Sequence, residues 1–340
     1  MMRNALLIVG ALLLMLWSAQ FSVFGDELDN LVGGKLIAQG GVLYQDYWSH
    51  HMPLAYDIAA VLYHLGARTT LHFRWIWCVL LWLTGLALWS ALRHPLVLWT
   101  MLALALLSIP LRSTMILAET IVGYAALMAW AALMSRRSAM VILILLLCWI
   151  MVAVSLKAVY LAMALAGLSL WQARREWRVS LIAFVLPLAL TLLYALRLPL
   201  HAFFDQAYTF NRVIYSLYAT QPDAVIPRTP LETLINMLLS YISALRTLTP
   251  DSAFAGMALS AIITAVVQGL CERWLHLLSI VALIVFSYPV SELNYNAGPH
   301  FITHYIILTG VCVYALFKLV SYRSHRRADG RPAASSSYAA

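Results

Sequence analysis

Ionisable side chains are scarce in this chain, so the places where they gather carry information. The densest gathering follows the first apolar run. Asp26, Glu27 and Asp29 fall within four residues of one another, and Tyr44, Asp46, Tyr47, Trp48, His50 and His51 follow, leading up to Pro53. Further along, Glu119 stands in Leu117-Ala118-Glu119-Thr120, Lys157 follows Val154-Ser155-Leu156, and His304-Tyr305 opens the last apolar run. A carboxylate beside a cation suits removal of a proton from a hydroxyl while the cation steadies a departing phosphate. Aromatic rings next to such a pair can stack on the C–H face of a sugar or anchor a helix at a membrane surface. Adjacent histidines bind an anion when protonated and a metal when neutral. Asp26 and Glu119 supply hard oxygen ligands of the kind that hold Mg2+ or Mn2+, with a geometry that the sequence leaves open. Plainer uses compete: acids favour a helix N-terminus, and a lysine snorkels to lipid headgroups.

The elements that carry these residues belong in lipid. Of 340 residues, 63% are hydrophobic and 11% charged, against about 45–50% and about 25% in soluble domains. Apolar runs are read as spans over 5–24, 74–92, 95–110, 115–134, 139–155, 158–171, 179–196, 253–270, 274–288 and 302–319. Each approaches the roughly 20 residues that a crossing helix needs. The first run is long for a signal peptide and lacks a good cleavage context, so it is read as an uncleaved helix. The expected fold is an all-α polytopic membrane protein, a bundle of about ten transmembrane helices with interfacial helices on its external side. Cys78, Cys148, Cys271 and Cys312 stand singly inside apolar runs, a spacing that suits neither a disulfide framework nor a metal site.

Charge orients the bundle. With the N-terminus inside, the turns at Arg93-His94, Arg136-Arg137, Arg174-Arg175, Arg178 and Arg273 and the tail from Lys318 onward hold more than half of the basic residues on the cytoplasmic side. Most of the acids fall on the opposite, external side. The formal charge of +8 is thereby explained by topology, and no basic stripe with interleaved aromatics points to nucleic acid. One transmembrane unit is read over 1–322, with external loops at 25–72 and 198–252, followed by a disordered cytoplasmic tail over 323–340. Within the loops, 26–39 reads as a short helix ended by Gly40-Gly41, and 53–65 as an interfacial helix too short to cross. Residues 231–245 read as a surface-lying amphipathic helix.

The stretch Asp26-Glu27, Gly33-Gly34-Lys35-Leu36, Gln39-Gly40-Gly41-Val42-Leu43-Tyr44-Gln45-Asp46-Tyr47-Trp48 and His51-Met52-Pro53-Leu54 resembles the membrane-embedded GT-C glycosyltransferases, in the bacterial branch related to protein O-mannosyltransferases and lipid A aminoarabinose transferases. The resemblance implies a multi-pass protein of a bacterial inner membrane with its site facing the periplasm. It implies transfer of a sugar from a polyprenyl-phosphate donor to a glycan, lipid or protein acceptor. Asp26 matches the family's catalytic acid, and Glu119 matches a second acid at an external helix end. Glu27 or Glu119 is expected to orient the acceptor or a divalent ion. Lys157, His50 and His51 are expected at the donor phosphate, where the family's lysine is replaced by histidine. Tyr44, Tyr47 and Trp48 are expected around the sugar, and His304 with Tyr305 at the rim. A lipid-linked sugar transporter or a non-catalytic subunit of an envelope-polysaccharide complex would use the same external groups differently.

Overall fold

The computed structural model describes residues 2–21, 24–135, 137–215, 274–287 and 302–328, and among these the protein is all-α. The expected span at 253–270, the amphipathic helix at 231–245, Arg136, Arg273, the loop at 292–300 and the tail from 329 lie outside the described residues.

The helices are α1 (Met2–Ser18), α2 (Gly25–Ala38), α3 (Leu54–His64), α4 (Thr70–Leu92), α5 (Pro95–Leu106), α6 (Ser108–Leu111), α7 (Ala118–Met134), α8 (Met140–Val154), α9 (Val159–Gln172), α10 (Trp177–Arg197), α11 (Leu200–Phe203), α12 (Trp274–Ser287) and α13 (Ile302–Ala328). A π-helical segment, Phe204–Tyr215, continues α11. The bundle centres on α7, which packs on α8, α13, α9 and α4. Ala125, Ala126, Ala129 and Ala132 are buried along it, and such small residues let neighbouring backbones approach closely. Where α13 crosses, a Cβ on Gly310 would lie 2.5 Å from Leu127.

Two helices, α4 and α10, are long and apolar enough to cross a membrane, with mean hydropathies of 1.8 and 2.4. At 1.5 Å per residue the 23 residues of α4 reach about 34 Å, beyond the hydrocarbon thickness of about 30 Å. Leu188, Leu192, Leu193 and Leu196 of α10 and Leu6, Leu13 and Trp17 of α1 present their side chains outward. Apolar surface on this scale needs a nonaqueous or protein partner.

Several boundaries differ from expectation. The span expected at 95–110 breaks at Leu107, and the backbone then turns through the short α6 to Arg112 at φ 47°. Residues 113–117 are consequently not helical, and α7 starts at Ala118 in place of 115. The helix capped by Thr69, whose side chain accepts from the His72 amide, starts four residues ahead of Arg74. The last helix continues to Ala328, so the sequence from 323 to 328 is not a disordered tail. The two short helices expected at 26–39 and 53–65 fall where the sequence puts them, as α2 and α3.

Candidate functional site

The short helices α2 and α3 and the loop between them are locked in place by polar groups, among them Glu27, Tyr44 and Tyr47, which the sequence offered for chemistry. Glu27 is fully buried and takes both ends of the Arg74 fork. Arg74 Nε donates to Oε1 at 2.9 Å and Oε2 at 3.1 Å, and Nη2 donates to Oε2 as well. The Ile116 amide donates to Oε1 at 3.2 Å, and Arg74 Nη1 donates to the carbonyls of Ala19 and Phe21 at 3.0 and 3.1 Å. One ion pair thus ties α2 to α4, to the end of α1 and to the approach to α7. Asn30 adds a bond from Nδ2 to the Ile116 carbonyl at 2.9 Å. The expectation that Glu27 orients an acceptor or a metal is corrected: its oxygens are consumed by the fold.

Asp29 plays the same part between α2 and α3. The Tyr47 hydroxyl donates to Oδ1 at 2.5 Å and the Tyr56 hydroxyl to Oδ2, while Tyr56 Oη also pairs with Ser49 Oγ at 2.6 Å. Burial and the Asp29 carboxylate raise the hydroxyl pKa values of Tyr47 and Tyr56 above the ordinary range, so both remain protonated donors. Tyr44 sits at φ 70°, a conformation costly for an aromatic residue. Its hydroxyl reaches the His51 carbonyl at 2.8 Å, and its ring meets Phe203 edge-on at 5.4 Å. Tyr44 and Tyr47 are therefore struts of the loop, Tyr44 buried and Tyr47 half-buried.

Beside this frame lies a second set of ionisable groups. Asp26, half-buried at the first turn of α2, and Glu119, half-buried at the first turn of α7, both act electrostatically on Lys157 in the turn Leu156–Ala158. Lys157 is exposed in this turn, and desolvation by the surrounding protein lowers its pKa to about 8 against the pull of Glu119 and then Asp26. His50 joins the set. Burial, then His51, lowers its pKa to about 4, with Asp29 and Asp26 opposing and Lys157 adding to the shift. At neutral pH His50 is thus an uncharged hydrogen-bonding group. The His50 and His51 rings lie 4.0 Å apart. The His51 amide donates to Ser49 Oγ at 3.0 Å, so its backbone is fixed on both sides.

The π-helical segment closes on this loop. Gln206 accepts from the Ser49 amide at 3.0 Å and donates to the Tyr44 carbonyl at 2.8 Å, and Asn211 donates to the His50 carbonyl at 2.6 Å. Phe210 packs on Trp48 at 4.9 Å and on His50 at 5.7 Å. Trp48 is still 53% exposed, so its ring can take a further partner. His304 and Tyr305 are elsewhere: His304 is buried between α12 and α13, with Nδ1 2.6 Å from Ser287 Oγ, and Tyr305 packs against the main core. His304 is therefore not at a rim. Their helix does touch the site through Thr303, whose hydroxyl donates to the Glu119 carbonyl at 2.7 Å.

Arg112 was passed over in the sequence because it reads as a span edge. Its guanidinium stands 4.8 Å over the Phe24 ring, two residues before Asp26, and Nη1 is buried without a hydrogen-bond partner among the described residues. A buried guanidinium N–H left open suits an anion. The donor set for a divalent ion is thin. Among the described residues no three His, Cys, Asp or Glu side chains converge, and the cation beside Asp26 and Glu119 is the Lys157 ammonium. The residues present do not fit a dedicated metal centre.

Comparison with family models, with curated proteins and with solved structures yields no match to this chain.

Proposed function

We propose that this chain is a multi-pass membrane transferase of GT-C type, with about ten crossing helices, that moves a sugar from a polyprenyl-phosphate donor to a hydroxyl of an envelope glycan, lipid or protein. On this reading the shorter apolar helices α1, α5, α7, α8, α9, α12 and α13 cross together with α4 and α10, and the span expected at 253–270 is the tenth. The bundle sits in a bacterial inner membrane, with α2 and α3 at its periplasmic face.

The observation that carries the reading is the convergence of Asp26, Glu119, Lys157 and His50. They come from α2, the loop that follows it, α7 and the turn before α9: Asp26 and Glu119 lie within electrostatic reach of Lys157, and Asp26 and Lys157 within reach of His50. The chemistry follows from their types. Asp26 takes the proton of the acceptor hydroxyl as its oxygen bonds to the anomeric carbon. The bond from that carbon to the phosphate oxygen breaks on the opposite face, and its electron pair leaves with the polyprenyl phosphate. The product is inverted at the anomeric centre. Protonated Lys157 and the open Arg112 N–H steady the leaving phosphate, neutral His50 donates a hydrogen bond, and Glu119 keeps Lys157 charged. Trp48 offers an aromatic face to the sugar. Lys157 supplies the positive charge that a divalent ion would otherwise bring, so no metal enters the scheme.

The test is a reconstituted transfer assay with purified protein, a set of polyprenyl-phosphate sugars and envelope-glycan acceptors, run beside Asp26→Asn. The expected outcome is transfer by the native chain and a loss of about 10²–10⁴-fold in a variant that still folds, the usual worth of a general base. Equal turnover in the two would remove Asp26 from the chemistry.

A further inference from the structure

At the other end of the bundle lies a second feature that the transfer reading does not use. A cavity of about 320 Å³ runs between α4, α5, α7 and α13. Its wall is apolar along most of its length, with Leu88, Val97, Met101, Leu127 and Trp130 among its lining, and it reaches inward to Tyr124, whose hydroxyl is buried without a hydrogen-bond partner among the described residues. At 1.5 Å per residue, the eleven residues from Tyr124 to Ser135 make it about 16 Å deep. The opposite end is polar. His94 and Lys318 both line it, close enough for the Lys318 charge to act on the imidazole. His94 Nδ1 accepts from the Leu96 amide at 3.2 Å, which leaves the proton of the neutral ring on Nε2, a hydrogen-bond donor. Lys318 Nζ stands 5.6 Å from the Tyr314 ring, and exposed Arg93 and Arg137 flank the same end.

This end is remote from the Asp26 cluster. Thr303, which bonds the Glu119 carbonyl, and Lys318 lie fifteen residues apart on α13, about 22 Å along the helix. A narrow apolar slot ending in two cationic or donor groups is complementary to one class of molecule, an amphiphile with a hydrocarbon chain and an anionic head. From the position of the slot at the helix ends, we infer that it holds one acyl chain of an anionic phospholipid, with the lipid phosphate against His94 and Lys318. The inference rests on the membrane reading and not on the transfer chemistry. A structural lipid here would fill the space among four helices on the side away from the site, and so brace α7 and α13, which carry Glu119 and its anchor.

The experiment uses the full-length protein extracted from membranes. Alkaline extraction comes first: a chain released from the membrane sinks the membrane reading itself, and the cavity proposal with it. For an integral chain, native mass spectrometry after delipidation and re-addition of phosphatidylglycerol or phosphatidylcholine counts retained lipid. One phosphatidylglycerol retained in preference to phosphatidylcholine is expected. Lys318→Gln should cut that preference about fivefold, the worth of one basic group at a lipid surface. Ala131→Phe, which fills the slot, should abolish retention of either lipid. Equal retention of both lipids by the native chain, or unchanged retention in Ala131→Phe, overturns the proposal while leaving the membrane reading intact. Should that variant fail to fold, photo-crosslinking of the native chain with a diazirine-bearing acyl chain decides. Adducts on the α5 and α7 lining support the inference, and adducts confined to the outer faces or to the Asp26 side refute it.

Discussion

Asp26 and Glu27 are neighbours in sequence and have opposite fates, because successive residues of a helix point about 100° apart. One turns into the bundle and meets Arg74; the other stays half-buried beside Lys157 and His50. This difference separates a structural acid from a chemical one. Replacing one partner of a buried ion pair strands the other charge and costs about 3–5 kcal/mol. Glu27→Gln is therefore expected to lower the unfolding temperature in detergent and the folded yield, while the protein that survives turns over normally. Wild-type stability with lost turnover would reverse the two assignments. Lys157 adds a pH signature. Its charged form is the one that steadies the phosphate, and its pKa lies near 8, so rate should be level below that pH and fall above it by about tenfold per unit. In Lys157→Gln the rate should be lower throughout and the alkaline limb absent; a limb that persists belongs to another group. The sequence brought Asp26, Glu119 and Lys157 forward because charge beside apolar runs is rare. It could not show which acid of the pair was spent, since Arg74, 47 residues away, looked like the edge of a span, and so did Arg112.

At the scale of elements, the α2–α3 pair is the platform on which Asp26 and the histidines are carried, and its closeness depends on Gly33-Gly34. A Cβ on Gly34 would stand 2.4 Å from the Ala59 Cβ and 2.8 Å from the Tyr56 carbonyl oxygen, and one on Gly33 would stand 2.4 Å from the Tyr56 ring. Gly34→Ala should gain up to about 1 kcal/mol of helix propensity. Overpacking against a backbone atom costs about 1–3 kcal/mol, so the clash outweighs the gain. The variant is expected to melt earlier and to transfer more slowly, because splaying α3 pulls Tyr56 from Asp29 and loosens the loop between them. A higher melting temperature would sink this packing account. Both helices were legible beforehand: Gly40, at φ 93°, ends one, and Pro53 opens the other. Their mutual contact was not, because nothing in the sequence of one helix marks the glycines Gly33 and Gly34 as the place where the other approaches closely. The π-helical segment was equally hidden. Gln206 and Asn211 bind backbone groups of residues 44, 49 and 50, about 160 positions away, and no periodicity in the sequence announces such bonds.

For the whole molecule, composition predicted lipid as the solvent, and two helices have the length and apolarity to cross it. The spans expected at 95–110 and 115–134 came out shorter because a turn cuts into them: the break around Arg112, in the left-handed region, ends α5 and α6 early and delays α7. A short apolar helix can still cross a bilayer by local thinning or by snorkelling of its flanking residues, so length alone does not decide the topology, whereas sidedness does. The proposed arrangement puts the aromatic loop and the α4–α5 turn on opposite faces, separated by the length of α4. Trp48, 53% exposed, and Arg93, also exposed, mark those faces. In a background without the four native cysteines, Trp48→Cys should react with a membrane-impermeant maleimide on intact cells, and Arg93→Cys only once the membrane is opened. The opposite pattern would turn the site toward the cytoplasm, where nucleotide sugars are present and a lipid-linked donor would no longer be required. Labelling of both from outside would mean that α4 does not cross. The apolar faces of α10 and α1 would then need a protein partner in place of lipid, and the convergence of Asp26, Glu119 and Lys157 would have to be explained without a membrane donor.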